Sequence, residues 1–410
     1  MIPVLVHFQF TSLVGQLFAY GLAVALVAYG AHSGWRGASG NDRWVRALGY
    51  GGVAAVVARV GLHYALPQGA FLGGRGEGLP VHTYGLMLAT GFLSAVSVSA
   101  RLAAHEWRGA ESAKMRDNIL DLAFWVLLAG IGGSKLLFTL VNWREAGAQL
   151  SDVFRNPAKL VDFLSGGLVF QGGLLASMAT TWWFCKTRKI DFLRLCDVAI
   201  PTVSLGSAFG RLGCFSAGCC WGDVVGQNTL PWAVHFPGAG LVKDLFGRAA
   251  PTSSLAFQSM RQDARWVVEA TGEVAQNAIP GAVRVSNWVA EHGHTLPVHP
   301  TQLYDSLGNL LLFAGVLFAR RFRRFHGQIM GIWLMGYAFV RSTVETFRGD
   351  VERGTLHGLL EGIGSHALAD RIPARAWFNV STGQFISLCM FALGLWLVAR
   401  AKPALPARVS

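Results

Sequence analysis

Charged side chains are scarce in this sequence of 410 residues. Asp, Glu, Lys and Arg together make up 14% of it, whereas apolar residues make up 52%. The mean hydropathy is +0.40. Soluble globular domains carry about 25% charged residues. The composition therefore excludes an ordinary soluble domain and indicates an integral membrane protein.

Negative charge is scarcer than positive charge: the chain has 23 acidic and 35 basic residues, a formal net charge of +12. In a soluble protein this excess would suggest a nucleic-acid partner. In a membrane protein the positive-inside rule explains it, because lysine and arginine collect in the cytoplasmic loops. We therefore expect the lipid bilayer as a partner, and no nucleic acid.

Cysteine is also rare, and its six positions do not predict a disulfide framework, because most lie within apolar segments. They are Cys185, Cys196, Cys214, Cys219, Cys220 and Cys389. A secretory signal peptide is not expected either. Residues 1–9 lack a basic region, and no small-residue cleavage site ends the first apolar run.

Nine apolar runs are long enough to cross a bilayer, which takes about 20 residues of helix. They lie at about 11–31, 46–66, 82–104, 118–142, 166–185, 192–214, 301–319, 328–347 and 380–399. The pattern predicts an all-α fold, a polytopic helical membrane bundle with about seven core helices and two extra N-terminal ones. We divide the chain into an N-terminal hairpin (1–80), a membrane core (81–400) and a tail (401–410).

The connecting loops predict the orientation in the membrane. Every second connection is strongly basic, namely 32–45, 105–117, 186–191 and 320–326, and the tail is basic as well. The positive-inside rule places these segments in the cytoplasm and the N-terminus outside. The long segment 215–300 then lies on the outer side, where we expect it to form a folded cap.

One stretch concentrates unusual chemistry. Residues 210–222, GRLGCFSAGCCWG, close the sixth apolar run and place one arginine, three thiols and four glycines at the membrane edge. An intramembrane arginine costs roughly 2.5–3.5 kcal/mol at the bilayer centre, so it normally faces a polar cavity or a ligand. Glycines let the backbone approach closely and expose N–H donors. The stretch therefore predicts the floor of an anion site.

Other polar residues lie within the apolar runs. In the eighth run, residues 337–348 place a tyrosine, an arginine, a glutamate and a second arginine on one helical face. A salt-bridge ladder would explain this stripe, but its excess of positive charge favours an anion pathway. The seventh run begins HPTQLYD at 299–305, which has more polar groups than a helix start needs. Asp197 lies near the cytoplasmic end of the sixth run, which predicts a capping or pairing role.

Together these motifs resemble the prolipoprotein diacylglyceryl transferase family, from about residue 81 to residue 400. The resemblance lies in Tyr84-Gly85-Leu86-Met87, Gly132-Gly133, Gly166-Gly167, Phe170, Gly172-Gly173, Asp197, the 210–222 signature, His299-Pro300-Thr301-Gln302-Leu303-Tyr304, Tyr337, Arg341, Glu345, Arg348 and Gly383-Gln384. So many short motifs in one order are highly specific.

The resemblance implies an enzyme of the bacterial inner membrane, with its active site toward the periplasm. Such an enzyme moves the diacylglyceryl group of phosphatidylglycerol to the lipobox cysteine of a prolipoprotein signal peptide and releases glycerol phosphate. It implies no metal and no organic cofactor. The expected catalytic residues are Arg211, Arg341, His299 and Tyr337. The expected substrate-binding residues are Tyr84, Gln171, Gly172, Gly173, Gly210, Gly213, Cys214, Cys219, Gln302, Tyr304, Glu345 and Arg348.

The sequence departs from the family's commonest pattern at three positions. Gln171 stands where many members have a histidine, and an amide cannot act as a base. Cys214 and Cys219 stand where many members have asparagine and glutamate. His299 could bind lipid or substrate, or accept the proton, because the pKa of histidine lies near neutral pH. The sequence does not choose among these roles.

Three other interpretations stay open. The thiols at 214–220 could form a redox pair, a structural pair or a metal site, although their spacing is unlike paired zinc motifs and a fourth ligand is missing. A transporter of an anionic lipid would also use intramembrane arginines, but it should show related half-molecules. A paralogue with the same fold and another acceptor is favoured by the cysteines and Gln171.

Overall fold

The structure, a computed structural model, describes residues 4–8, 24, 28, 79–143, 167–226, 229–238, 253–275, 277–348 and 381–400. The two predicted N-terminal runs lie almost entirely outside these residues, as does the tail at 401–410. Contacts divide the chain into two compact units. The first contains His82–Ser99 and the described residues from Leu193 onward, and the second contains Ala100–Phe192 and the described part of Val6–Val81. The division of the chain at residue 80 stays a prediction.

Helices dominate the described chain. They are α1 (Thr83–Glu106), α2 (Ala110–Val141), α3 (Phe170–Arg188), α4 (Phe192–Ala217), α5 (Leu255–Arg261), α6 (Val285–His292), α7 (Thr301–Ala319), α8 (Gln328–Glu345) and α9 (Thr382–Ala399). The long helices coincide with the apolar runs predicted from residue 82 onward. Among the described helices, four segments are long and apolar enough to cross a membrane: Thr83–Glu106, Glu111–Val141, Phe192–Ala217 and Thr301–Phe322. The prediction of a helical membrane protein is confirmed at this level.

Glycines let the long helices of the first unit pack closely. A Cβ added at Gly331 on α8 would lie 2.9 Å from the carbonyl oxygen of Gly394 on α9. A Cβ at Gly308 on α7 would lie 2.6 Å from a methyl carbon of Val340 on α8. Small residues at helix contacts are usual in lipid, where the hydrophobic effect does not drive helices together. These contacts set α8 between α7 and α9, which places its polar stripe against both neighbours.

The second unit is built on the same kind of contact between α2 and α3. A Cβ at Gly133 on α2 would lie 2.6 Å from the carbonyl oxygen of Gly172 on α3. A Cβ at Gly173 would lie 2.8 Å from the carbonyl oxygen of Gly130. Any larger residue at these positions would push the two helices apart.

Asp197 on α4 is fully buried and caps the start of α8. Its Oδ2 accepts a hydrogen bond from the N–H of Gly327 at 2.8 Å, and its Oδ1 accepts one from the N–H of Met330 at 3.0 Å. Arg320 donates to the backbone carbonyl of Asp197, and Nη1 of Arg323 lies 3.8 Å from Oδ2. The first N–H groups of a helix lack partners within it, so a carboxylate there is stabilising. The predicted capping and pairing role of Asp197 is confirmed.

The described chain also contains short strands, β1 (Val4–Phe8), β2 (Leu79–His82), β3 (Trp266–Val268), β4 (Glu273–Ala275) and β5 (Val283–Arg284). β1 pairs with β2, and the last three form an antiparallel sheet in the order β4-β3-β5. This sheet packs with α5 and α6 around a core that includes Phe236, Val267, Trp288 and Val298. The segment between α4 and α7 is thus folded. It contains a β-sheet, so the prediction of an all-α fold is wrong for this segment. Its strands of two or three residues are too short to show an alternating pattern.

Candidate active site

The polar stripe of α8 meets α4 and α7 in a cluster of opposite charges. The Asp305 side chain on α7 is 4% exposed, and its Oδ2 lies 2.8 Å from Nε of Arg211 on α4. The same oxygen lies 3.9 Å from Nη1 of Arg341 on α8. Nη2 of Arg341 lies 2.7 Å from Oε2 of Glu345, one turn later. Two buried carboxylates therefore hold the two predicted catalytic arginines close to each other.

The N-terminus of α9 completes the cluster around Glu345. The hydroxyl of Ser381 donates to Oε1 of Glu345 at 3.1 Å. Ser381 also caps α9 in a capping box with Gln384. A Cβ added at Gly383 would lie 3.2 Å from the Glu345 carboxylate, a tight contact that glycine avoids. The Gly383-Gln384 motif thus positions a charged residue of the site.

A third arginine lies near this cluster. The backbone of Arg348 pairs with Gly222 in a β-bridge, and its charge interacts electrostatically with Cys220. Nη1 of Arg341 is buried and has no hydrogen-bond partner among the described residues. Buried donors normally have partners, so this atom indicates a place for an anion.

Two predicted tyrosines border the arginines. Tyr337 lies one turn before Arg341 on α8 and interacts electrostatically with both Arg211 and Arg341. Tyr84, in the first turn of α1, packs on Gly213, where a Cβ would lie 3.0 Å from the tyrosine ring. Tyr84 also interacts electrostatically with Arg211. The structure therefore brings both phenols near the arginines, and their predicted roles in catalysis and substrate binding stay predictions.

Three cysteines gather next to the arginines. The Sγ atoms of Cys214, Cys219 and Cys220 all lie within 4.8 Å of one another. The turn uses left-handed backbone at Cys220, with φ of 57°, which a residue with a Cβ rarely adopts. The first turn of α7 fixes it: Thr301 donates to the carbonyl of Cys220 at 2.8 Å, and Gln302 donates to that of Cys219 at 2.7 Å. The predicted site residue Gln302 therefore positions the thiols.

The thiols beyond the end of α4 have unequal acidity. Hydrogen bonding with Cys214 and Cys220 raises the pKa of Cys219, and burial raises it further. Hydrogen bonds from Cys214 and Cys219 lower the pKa of Cys220 against the effect of burial, and Arg211 and Arg348 add to this. The arginines therefore favour a negative charge at this turn, either on Cys220 or on a bound anion.

His299, Tyr304 and Trp232 form a hydrogen-bonded chain at the start of α7. Nε1 of Trp232 lies 2.7 Å from Oη of Tyr304, which lies 3.3 Å from Nδ1 of His299. An indole N–H can only donate, so Tyr304 accepts that bond. Tyr304 donates its O–H to His299 in the tautomer that carries the ring proton on Nε2, and it accepts from His299 in the other tautomer. Burial lowers the pKa of His299, opposed by the charge of Asp223, so the ring is neutral near pH 7 and can accept a proton.

Other predicted site residues lie elsewhere or in open space. Gln171, Gly172 and Gly173 begin α3 in the second unit, where Gln171 is exposed and the glycines pack against α2. Their role in substrate binding stays a prediction. A Cβ added at Gly210 would meet no described atom within 4 Å, so this glycine leaves space beside Arg211.

Asp305 is the main residue of the cluster to which the sequence assigned no role. It lies within an apolar run, and a carboxylate there normally has a partner. That signal could have identified it. Its partner, Arg211, lies on a different helix, so helical spacing does not reveal the pair.

The fold and the site define a helical membrane protein with a partly buried arginine cluster suited to an anionic ligand. The family model of prolipoprotein diacylglyceryl transferase matches residues 75–400. A phosphatidylglycerol–prolipoprotein diacylglyceryl transferase of Paraburkholderia phytofirmans is 30% identical over 333 residues, 80% of this chain and 93% of the relative. One of Clostridium tetani is 26% identical over 320 residues, 78% of this chain and 93% of the relative. The chain belongs to the prolipoprotein diacylglyceryl transferase family.

Proposed function

We propose that this protein transfers the diacylglyceryl group of phosphatidylglycerol to the lipobox cysteine of prolipoproteins and releases glycerol phosphate. The observation that carries the proposal is the arginine cluster of α4 and α8. A phosphodiester carries one negative charge, and arginine is well suited to bind a phosphate. The buried Nη1 of Arg341, with no hydrogen-bond partner among the described residues, supplies a donor for that phosphate.

The departing glycerol phosphate is stabilised by Arg211 and Arg341. Charge develops on the phosphate oxygen as its bond to the glycerol carbon breaks, and fixed cations in a site of low dielectric lower that barrier. Arginine suits this role because its planar fork offers two parallel donors to a phosphate. Asp305 holds Nε of Arg211 at 2.8 Å, which orients the fork without using its terminal nitrogens.

His299 accepts the proton of the acceptor thiol, in place of the histidine that Gln171 replaces. A cysteine thiol has a pKa of about 8.5 and must lose its proton before it attacks carbon. In the tautomer that carries the ring proton of His299 on Nε2, Tyr304 donates its O–H to Nδ1, and a proton can pass from the thiol to Tyr304 as the phenolic proton passes to His299. The thiolate sulfur then bonds to the glycerol carbon that bears the phosphate, and the electron pair of the broken carbon–oxygen bond leaves on glycerol phosphate.

The remaining site residues bind the two substrates. Tyr84, Tyr337 and the thiols line the arginine cluster, and the acyl chains lie between the helices. The reaction is a substitution without a change of oxidation state, so we propose that it uses no metal and no organic cofactor.

The protein lies in the bacterial inner membrane as a multi-pass bundle of nine spans, with 215–300 as a periplasmic cap. The alternating basic loops support this topology. Fusions of a reporter enzyme after residues 116, 188 and 324 should report the cytoplasm, and a fusion within 239–250 should report the periplasm. A periplasmic signal at residue 324 would contradict the orientation and the outward-facing site.

The direct test is transfer of radiolabelled diacylglyceryl from phosphatidylglycerol to a lipobox peptide, in membranes that contain the protein. A peptide with serine in place of the lipobox cysteine is the control acceptor. A paralogue with another acceptor is the second candidate, favoured by Cys214, Cys219 and Gln171. Failure to label the cysteine peptide, together with failure to restore lipoprotein modification in cells that lack their own transferase, would support the paralogue.

A further inference from the structure

The end of α4 brings two of the three thiols together. The N–H of Cys219 donates to the carbonyl of Cys214 at 3.1 Å, and the N–H of Gly218 donates to that of Phe215 at 3.3 Å. Gly218 is left-handed, with φ of 67°. These two nested bonds around a left-handed glycine form the Schellman motif, in which the side chains at its two ends frequently contact each other. Here those two side chains are Cys214 and Cys219.

The sulfur atoms of this turn are placed for a disulfide. The Sγ atoms of Cys214, Cys219 and Cys220 lie within 4.8 Å of one another, and all three thiols are free and partly exposed. Neighbouring Cα atoms lie about 3.8 Å apart across a trans peptide, which is shorter than the 4.4 Å or so that a disulfide needs. A link between Cys219 and Cys220 is therefore strained, and an unstrained one must include Cys214.

Cys220 has the chemistry of a thiol that begins exchange. Hydrogen bonds from Cys214 and Cys219 lower the pKa of Cys220 against the effect of burial, and the charges of Arg211 and Arg348 lower it further. Thiol–disulfide exchange proceeds by attack of a thiolate, and a thiol whose thiolate is stabilised is also the best leaving group. Cys220 is therefore suited to attack an external disulfide and to be released again by a neighbouring thiol.

We propose that Cys214 and Cys219 form a reversible disulfide that switches transfer off, with Cys220 as the exchanging thiol. The oxidant is the disulfide of a thiol–disulfide exchange partner outside the membrane. The Cys220 thiolate attacks it, Cys214 then displaces the partner from Cys220, and Cys219 displaces Cys220 from Cys214. One sulfur–sulfur bond forms and one breaks, and the partner leaves as a dithiol with the two protons and two electrons of Cys214 and Cys219.

The disulfide would displace groups next to the proposed anion site, so its effect on transfer rests on the proposed function. Arg211 lies one turn before Cys214 on α4, and Gln302 holds the carbonyl of Cys219 at 2.7 Å. Free sulfur atoms must approach to about 2.05 Å, which pulls the end of α4 toward the turn. A misplacement of about 1 Å can cost about 100-fold in rate, so we expect the oxidised form to be about 10-fold to 100-fold slower.

The first test detects the disulfide in the unchanged protein and needs no activity. Chymotrypsin cuts after Phe215 and Trp221, which leaves Cys214 on one fragment and Cys219 with Cys220 on the next. After equilibration with oxidised glutathione and alkylation with iodoacetamide, mass spectrometry should find the two fragments joined, with the alkyl group on Cys220. Dithiothreitol should separate them.

The second test measures transfer of radiolabelled diacylglyceryl by the same oxidised and reduced samples. Oxidation should lower the rate by about 10-fold to 100-fold, and dithiothreitol should restore it. Cys214→Ser should abolish both the joined fragments and the response to oxidation. The matched control is Cys389→Ser, which removes an exposed thiol on α9 and should keep both.

Fragments that stay separate at every ratio of oxidised to reduced glutathione would overturn the inference. Fully joined fragments with an unchanged rate of transfer would overturn the switch, and loss of the response in Cys389→Ser would assign it to another thiol. A protein whose fragments join and separate reversibly, but which transfers nothing in either state, would contradict the proposed function and keep the disulfide.

Discussion

Arg211→Lys is the most informative change in the arginine cluster. Lysine keeps the positive charge and loses the planar fork. Nε of Arg211 lies 2.8 Å from Asp305, so the arginine serves the carboxylate and still has two terminal nitrogens. A lysine has one nitrogen for both tasks. Loss of one fixed donor to a developing oxyanion costs about 2.7–4 kcal/mol, which corresponds to a rate decrease of about 100-fold to 1000-fold.

Arg211→Ala adds a second effect, because it leaves Asp305 with less compensation. The Asp305 side chain is 4% exposed, and an uncompensated buried charge costs about 3–5 kcal/mol of stability. Arg341 at 3.9 Å compensates part of that cost. The double variant Arg211→Ala/Asp305→Asn removes both charges, so it should recover normal insertion while its activity stays low. This separates the catalytic role of Arg211 from its structural role.

The assay measures transfer of radiolabelled diacylglyceryl to a lipobox peptide, with the protein in each membrane preparation quantified by immunoblot. Arg321→Lys, at an exposed position outside the cluster, is the matched control and should keep full activity. Full activity of Arg211→Ala at the expression level of the unchanged protein would refute the anion site. The function would then rest on family membership alone.

Four further predictions follow from the site and the helix packing. The pKa of His299 is lowered by burial, and a base must be neutral, so kcat/KM should rise with pH through that lowered pKa and level off near pH 7. His299→Gln should remove this rise and lower kcat by about 100-fold or more, whereas a rise that persists in His299→Gln would assign the base elsewhere. Asp197→Asn keeps only one acceptor for two backbone amides, so the free energy of unfolding should fall by about 1.5–3 kcal/mol in thermal unfolding, with unchanged activity per folded molecule. The Cys214→Ser/Cys219→Ser variant should insert normally, and elemental analysis of the purified protein should find less than one zinc ion per chain, because a structural zinc site needs a fourth ligand. The rate at which iodoacetamide alkylates Cys220, measured by mass spectrometry, should fall when phosphatidylglycerol is added. The phosphate would neutralise the positive charge that stabilises the thiolate. An unchanged rate would show that the thiols do not lie at the lipid site.

The helices could be predicted from the sequence because a run of about 20 apolar residues is a strong and local signal. The cap formed by Asp197 could also be predicted, since a carboxylate at the end of an apolar run needs a partner. The stripe on α8 followed from helical spacing, and the structure pairs Arg341 with Glu345 one turn apart. The signals for these features lie within a few turns of one helix, although the partners of Asp197 lie at the start of α8.

Contacts between distant elements could not be predicted in this way. Asp305 meets Arg211 only because α7 packs against α4, and no period within either helix encodes that contact. The thiols meet because Cys220 adopts a left-handed backbone conformation. This conformation cannot be predicted from the sequence at a residue other than glycine. The sheet was missed for a different reason, because β5 has only two residues.

Because this site has a thiol in place of a carboxylate, its charge depends on protonation and on oxidation. By the family pattern that the sequence resembles, many members have a glutamate where this chain has Cys219, and a glutamate is charged at every pH near neutrality. A thiol contributes negative charge only as a thiolate, and a disulfide contributes none. The three sulfur atoms lie within 4.8 Å of one another, on the face of the membrane that we propose to be oxidising. The charge of the site that binds a phospholipid therefore depends on the pH and on the oxidants outside the membrane. A carboxylate at this position would keep that charge constant.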